Sequence, residues 1–472
     1  MSNLNKYHIP RVQRALVLQG GGALGAYQVG VFKSLYEKIK EIQDVSNKKD
    51  VPLFDIIAGT SIGAINGAIL VSYFVENKTW DGASEKLEKF WKYLSTSTPN
   101  IKEASKQWKI EHEKGNPSIA SEESARRYYS VKEFSKTGVE KVFKPIYPPK
   151  QDNKFCDSQN QWLVYDNQPL RNSIEKFGRF PIATSFEKGE PRLLVVSVDV
   201  AEGTTVTFDS YENEQGKRES EYGDSHLGKS ITVHYDKGID IKHLIASSTV
   251  PEAYAYEDVE QRKFWDGGLL SNTPIKEVVY AHQRFWEKKI GSQNLENSFR
   301  VKLMRTEMDN YRSKSPEQQP IQRIPDLEIY IVNLLDPKQN SSNSVENKVP
   351  QDFDGVKGRH IDIKLGKAYD PKIDGLHADY VNLIEKLIAL GQNDELLGEK
   401  IDRILDEYTP RRFLTEEAKR NIDILKNTFK ITKIVQIQRK DDDNSVSGKL
   451  ADFTSETIDR LIKEGYQDAM GR

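Results

Sequence analysis

Apolar runs that end in glycine set the pattern of the first third of the chain. Ala15-Leu16-Val17-Leu18-Gln19 leads straight into Gly20-Gly21-Gly22-Ala23-Leu24-Gly25, and Phe54-Asp55-Ile56-Ile57-Ala58 leads into Gly59-Thr60-Ser61-Ile62-Gly63. After each turn the apolar period lengthens. Tyr27, Val31, Leu35 and Ile39 recur at helical spacing, and Ile62, Ile65, Ala68 and Ile69 do the same. The reading is strand, turn, helix, twice over. Gln168-Pro169-Leu170-Arg171 opens another helix, and Leu193 to Asp199 is a β-branched run of the kind buried in parallel sheets. Thr204 to Tyr211 predicts a strand, Ile241 to Ser248 a short helix ended by Pro251, and Leu327 to Leu334 a last sheet strand. This alternation predicts an α/β fold, a three-layer sandwich around a mostly parallel central sheet.

Between about Ser95 and Gln161 the pattern dissolves into polar text punctuated by Pro99, Pro145, Pro148 and Pro149. That stretch predicts an insertion or cap with short helices. Asp336 to Gly358 reads as a long loop, and from about Asp379 the chain becomes helical and charged. The expected division is a core over 14–280, carrying the cap at 95–161, and a C-terminal extension over 281–472 whose strand 327–334 completes the sheet.

Composition narrows the classes. A net charge of -2 leaves no basic footprint, so nucleic acid is not an expected partner. The one cysteine, Cys156, permits no internal disulfide and has no activating group near it in sequence. Ile56 to Val75 carries no charge and is long enough to cross a bilayer on count alone. Gly59, Gly63, Asn66 and Gly67 interrupt it, so it reads as a buried strand, a turn and a buried helix. The opening residues hold no apolar signal segment, and the expected location is cytoplasmic, with peripheral contact at a membrane.

The second glycine turn is G-x-S-x-G, the sequence form of a strained strand-to-helix elbow that presents a serine at its apex. The first leaves backbone N–H groups unshielded at a helix start, where an oxyanion can sit. Serine needs a base. Of the histidines after the elbow (His112, His226, His234, His243, His282, His360 and His377), none lies in a glycine-framed or strongly apolar setting, and His282 falls in charged text that predicts a solvated surface position. A carboxylate stands out instead: Asp266, at the end of Phe264-Trp265 and followed by Gly267-Gly268. Held beside a serine in a dry pocket, a carboxylate can take the proton directly, because burial raises its basicity. The rival reading of Gly20–Gly25, a dinucleotide fingerprint, needs a second strand ending in an acid about 20 residues on; Glu37 to Asp44 is a helix tail instead. Arg126-Arg127-Tyr128-Tyr129 reads as a solvated helix face or a contact for lipid headgroups.

Together, Gln19 to Gly25, Gly59 to Gly63 and Asp266-Gly267-Gly268 through Asn272-Thr273-Pro274 resemble the three signatures of the patatin-like phospholipases. Ala246-Ser247-Ser248-Thr249-Val250-Pro251 resembles the segment that family carries before its aspartate. The resemblance covers roughly residues 14–280. It implies a serine lipid acyl hydrolase with a Ser–Asp dyad: Ser61 as nucleophile and Asp266 as base. It further implies an oxyanion hole from Gly20, Gly21, Gly22 and Gly25, an elbow framed by Gly59 and Gly63, and an acid loop supported by Gly267, Gly268 and Asn272. No metal and no cofactor are implied, and the substrate is a lipid or other acyl ester. Leu24 stands where family members often carry Arg or Lys, which removes a cation that could meet a phosphate. Two other readings stay open: a catalytically silent scaffold that docks a partner, and a dinucleotide-binding enzyme. The oligomeric state is not legible.

Overall fold

The structure, a computed structural model, describes residues 9–45, 53–117, 119–152, 157–213, 215–223, 231–291, 324–335, 350, 352–366, 429, 431–440 and 444–471. In chain order the elements are β1 (Val12–Leu18), α1 (Ala26–Val45), β2 (Ile56–Thr60), α2 (Ile62–Asn77), α3 (Ala83–Leu94), α4 (Lys106–Glu113) and α5 (Glu122–Thr137). Next come β3 (Lys144–Asp152), β4 (Asp157–Asp166), α6 (Gln168–Phe177), β5 (Arg192–Asp199), β6 (Thr204–Asp209), β7 (Glu219–Tyr222), β8 (Ile231–His234) and α7 (Ile241–Ser248). The remainder is β9 (Glu257–Val259), β10 (Arg262–Asp266), α8 (Ile275–Ile290), β11 (Asp326–Asn333), α9 (Phe353–Leu365), β12 (Ile431–Gln438) and α10 (Ser455–Met470).

The main sheet runs β12-β11-β1-β2-β5-β10-β9, with β6 also paired to β5. The fold is α/β with a mostly parallel central sheet flanked by helices, the class the periodicity predicts. Its centre, β1, β2 and β5, is parallel because α1 and the longer α2–α6 excursion return the chain to the same edge. β10 runs antiparallel to β5. Register fixes the site. Thr60 lies opposite Val196, and the next residue of β5, Ser197, lies opposite Asp266. The position after Thr60 is therefore level with the end of β10.

Two compact units interleave along the sequence. The larger comprises Ala15–Pro274, Tyr330–Ala368 and Val435–Arg472; the smaller comprises Met1–Arg14, Ile275–Ile329 and Tyr369–Ile434. In the larger unit α10 lies against α1 so closely that a Cβ on Gly30 would overlap the Ile462 carbonyl, and one on Gly465 the Tyr27 carbonyl. The Tyr27 hydroxyl closes the contact on Asp468 at 2.9 Å. In the smaller unit α8 buries His282 completely, its Nε2 2.8 Å from the Pro325 carbonyl oxygen and its ring against Phe429. This corrects the solvated reading of His282. The residue shares a four-residue spacing with Val278, Trp286 and Ile290, all buried, and that stripe outweighs its charged neighbours.

The stretch 95–161 holds α4, α5 and most of the β3–β4 hairpin, a separate two-stranded sheet. α4 buries none of its residues. α5 opens on Ser121, whose hydroxyl accepts from the Ser124 N–H at 3.0 Å, with Glu122 and Glu123 in the first turn. Its Arg126 and Arg127 are not a solvated face. Arg126 bonds Glu123, Thr454 and Thr457, while Arg127, 5% exposed, bonds Glu123 and the Asn444 carbonyl. These arginines tie the insertion to the segment leading into α10. Other departures are α9, which begins inside the expected loop and runs past its end, together with the β7–β8 hairpin and β12. Of the helical region expected from 379, α10 is described and 379–428 lie outside the described residues, as do Cys156, His226 and His377.

Candidate active site

Ser61 sits between β2 and α2 with φ +56° and ψ −126°, a left-handed backbone that only a tightly constrained turn holds in a non-glycine residue. The constraint is steric. A Cβ on Gly59 would overlap the backbone of Gly63, and a Cβ on Gly63 would overlap the Leu18 carbonyl oxygen. Bare glycines let the start of α2 press onto β1 and β2. Hydrogen bonds finish the turn: the Ser61 N–H donates to Ser247 Oγ at 2.9 Å, and that hydroxyl donates to the Val196 carbonyl at 2.5 Å. The Thr60 hydroxyl donates to the Ser271 carbonyl at 2.8 Å. Ser61 occupies the N-cap of α2, yet its side chain makes no capping bond.

The hydroxyl faces Asp266 instead. Asp266 ends β10, 7% exposed, with its N–H bonded to the Thr249 carbonyl at 2.8 Å. Its carboxylate accepts from the Gly268 N–H at 2.7 Å, and the Ser61 side chain lies close enough to lower its pKa. Burial pushes the carboxyl up to about 6, while the Gly268 hydrogen bond and the Ser61 side chain pull the other way without cancelling it.

The glycine turn after β1 lies beside Ser61: a Cβ on Gly20 would come within 3.0 Å of the Ser61 Cβ. Gly22 has φ +54°, and a Cβ there would overlap the Leu450 carbonyl oxygen in the short turn Lys449–Ala451. The four glycines divide by role. The Gly20 N–H is taken by the Asn272 carbonyl at 3.2 Å, so Gly20 offers no free donor. Gly25 is packed against Ile62 and Trp91 within the turn Gly22–Gly25. Gly21 and Gly22 thus carry N–H groups of the turn that stay unbonded among the described residues. Asn272 is the joint: its amide nitrogen donates to the Gly20 carbonyl at 3.1 Å and to the Leu365 carbonyl at 2.8 Å. Gln19 braces the same turn through the backbone N–H groups of Leu334 and Leu335, at 2.7 and 2.9 Å. Ser247 and Gln19 lie in segments the sequence marks, yet neither role is legible there, since each depends on partners that topology brings near. Leu24 is buried in the core.

Of the histidines, His243 is the one buried in α7. Its Nδ1 accepts the Asp240 N–H at 2.8 Å as part of a capping box, and burial lowers its pKa to about 3. It is a neutral structural imidazole. No hydrogen bond joins a histidine to Ser61 or Asp266 among the described residues, and no acidic, histidine or cysteine cluster there could hold a metal ion.

A glycine-framed elbow serine, a buried carboxylate and a glycine turn with unbonded N–H groups stand at the ends of β2, β10 and β1. The chain belongs to the patatin-like phospholipase family, whose pattern matches residues 16–279. No protein of curated function matches the sequence. Among solved structures it is similar to VipD from Legionella pneumophila, at 11% identity and a TM-score of 0.30, over 98% of this chain and 66% of that one. Among the described residues no helix is long and apolar enough to cross a membrane, and Ile56 to Val75 is β2, the elbow and most of α2.

Proposed function

We propose that this protein hydrolyses carboxylic esters of phospholipids or related lipids through an acyl-enzyme formed on Ser61, with Asp266 as the base. The observation that carries the reading is the Ser61 hydroxyl against a buried Asp266 carboxylate whose pKa is raised to about 6. A base of that strength is ionised at neutral pH and still accepts a proton readily.

Ser61 Oγ attacks the ester carbonyl carbon as its proton passes to Asp266. The Gly21 and Gly22 N–H groups receive the developing oxyanion. They are fixed in the turn and need no reorganisation as charge builds. The intermediate collapses, and the alcohol leaves with the proton that Asp266 held. Water then attacks the acyl-enzyme, giving its proton to Asp266. The fatty acid departs as that proton returns to Ser61. Strain in the Ser61 backbone and the Ser247 bond keep the nucleophile in one orientation throughout. The segment 95–161 serves as a cap that governs entry of bulky lipid, a role supported by its attachment through α5 to the segment that abuts Gly22. Membrane contact is peripheral in this reading.

The test is hydrolysis of a p-nitrophenyl acyl ester and of a vesicle-borne phospholipid by the parent and by Ser61→Ala. The alanine variant, folded, is expected to lose essentially all of both activities. Parent-like rates in that variant would remove Ser61 from the mechanism.

A further inference from the structure

α9 presents an unusual face. Phe353, Val356 and Ile363 are 72, 52 and 51% exposed, and Lys357, His360 and Lys364 are exposed beside them. The spacing 353, 356, 357, 360, 363, 364 follows one side of an α-helix. The stripe is thus apolar and basic at once, and the Lys357 ammonium lies 4.3 Å from the Phe353 ring centre. The acid at its edge, Asp352, is committed as the helix cap, accepting from the Gly355 N–H at 2.8 Å.

The other side of α9 is anchored in the site. Asp354 accepts from the Ser447 N–H and hydroxyl, and buried Asp362 pairs with buried Lys449 at 2.7 Å. Lys449 opens the turn whose Leu450 carbonyl abuts Gly22. The Leu365 carbonyl at the end of α9 accepts from Asn272. The helix that exposes the stripe is therefore bonded to the loop after Asp266 and to the turn that packs on Gly22.

We propose that this face of α9 is where the protein docks on an anionic lipid surface, seating Phe353, Val356 and Ile363 among the acyl chains with Lys357 and Lys364 at the headgroups. The inference rests on the lipid-hydrolase reading and names the surface that presents substrate to it. Charge complementarity selects the occupant. Anionic headgroups attract the lysines, whose stems snorkel along the apolar side chains. A second copy seated on the same face would bring like charges together.

Binding is measured with full-length Ser61→Ala protein, so that turnover plays no part and failure of the catalytic reading leaves the result interpretable. Co-sedimentation uses vesicles of equimolar phosphatidylglycerol and phosphatidylcholine, against phosphatidylcholine alone. Anionic vesicles are expected to bind more tightly, and added salt to weaken them. Lys357→Glu/Lys364→Glu and, separately, Phe353→Asp/Ile363→Asp should each weaken that binding by at least about tenfold, since one basic residue near such a surface is worth roughly fivefold. Circular dichroism and Tm check each fold, and two independent pairs guard against failure of one. Parent-like binding by both folded variants, or no preference for anionic vesicles, overturns the proposal. So does a parent dimer that both variants convert to monomer, because the face would then join two copies.

Discussion

Gly20 and Asn272, 252 positions apart, hold each other by two hydrogen bonds: the Gly20 N–H donates to the Asn272 carbonyl at 3.2 Å, and the Asn272 side chain donates to the Gly20 carbonyl at 3.1 Å. The pair locks the glycine turn after β1 to the loop that follows Asp266. Asn272→Ala leaves the Gly20 and Leu365 carbonyls without that donor, at about 1–3 kcal/mol for each buried group. A shift of the turn by even a fraction of an ångström misplaces Gly21 and Gly22. Ester hydrolysis is expected to fall by roughly two orders of magnitude while KM for a small soluble ester changes little. Steady-state kinetics check this; an unchanged kcat would show that the turn holds itself.

Asp266 gives a pH dependence with a definite sign. Its folded pKa, about 6, lies above the ordinary aspartate value of 3.8. Its stabilising contribution is therefore complete below about pH 4 and is lost as pH rises through about 6. Activity runs the other way, rising through an apparent midpoint near 6 as the base ionises. Asp266→Asn is expected to lose nearly all activity. Above pH 6 it should also be more stable than the parent, by up to about 3 kcal/mol, with the gap closing toward pH 4. Thermal denaturation at both ends of that range decides it, and a gap that widens toward acid contradicts the burial argument.

His243 separates a structural histidine from a catalytic one. His243→Leu removes the acceptor for the Asp240 N–H and should lower Tm by several degrees, about 1–2 kcal/mol. The activity of the folded fraction is expected to stay within about twofold of the parent. Loss of activity as deep as that of Ser61→Ala, with the fold intact, would put a histidine into the mechanism.

The fold class and the placement of the three motifs were legible because glycines and short apolar runs are local signals. Gly59 and Gly63 mark the elbow whatever surrounds it, and the run from Leu193 to Asp199 can be little else than a buried strand. Non-local partnerships were not legible. Nothing near Gly20 in sequence says that Asn272 takes its N–H, and nothing near Ser61 announces Ser247. Arg126 and Arg127 look solvated until Thr454 and Asn444 arrive from more than three hundred positions away. His282 could have been read correctly: Val278, Trp286 and Ile290 place it on the apolar stripe of α8. The α9 segment shows how far a glycine-broken, mixed-polarity sequence departs from both templates, and its helix is held by Asp354 and Asp362.

The cap reading has its own test. α4 buries no residue, so it can be replaced by a short polar linker without opening the core. If the insertion governs lipid entry, the ratio of vesicle-borne lipid hydrolysis to soluble ester hydrolysis should change by about an order of magnitude, because access limits only the bulky substrate. An unchanged ratio in a folded variant would place the insertion away from the chemistry.

The central claim is that Ser61 is activated by Asp266, and active-site labelling tests it most directly. A fluorophosphonate is added at pH 7.5 to the parent, Ser61→Ala and Asp266→Asn, and the modified peptide is identified by mass spectrometry. One adduct per chain, on Ser61 of the parent, is expected. Ser61→Ala should give none, and Asp266→Asn should label slower by at least about a hundredfold. An adduct on another residue of the parent, or Asp266→Asn labelling at the parent rate, would contradict the account.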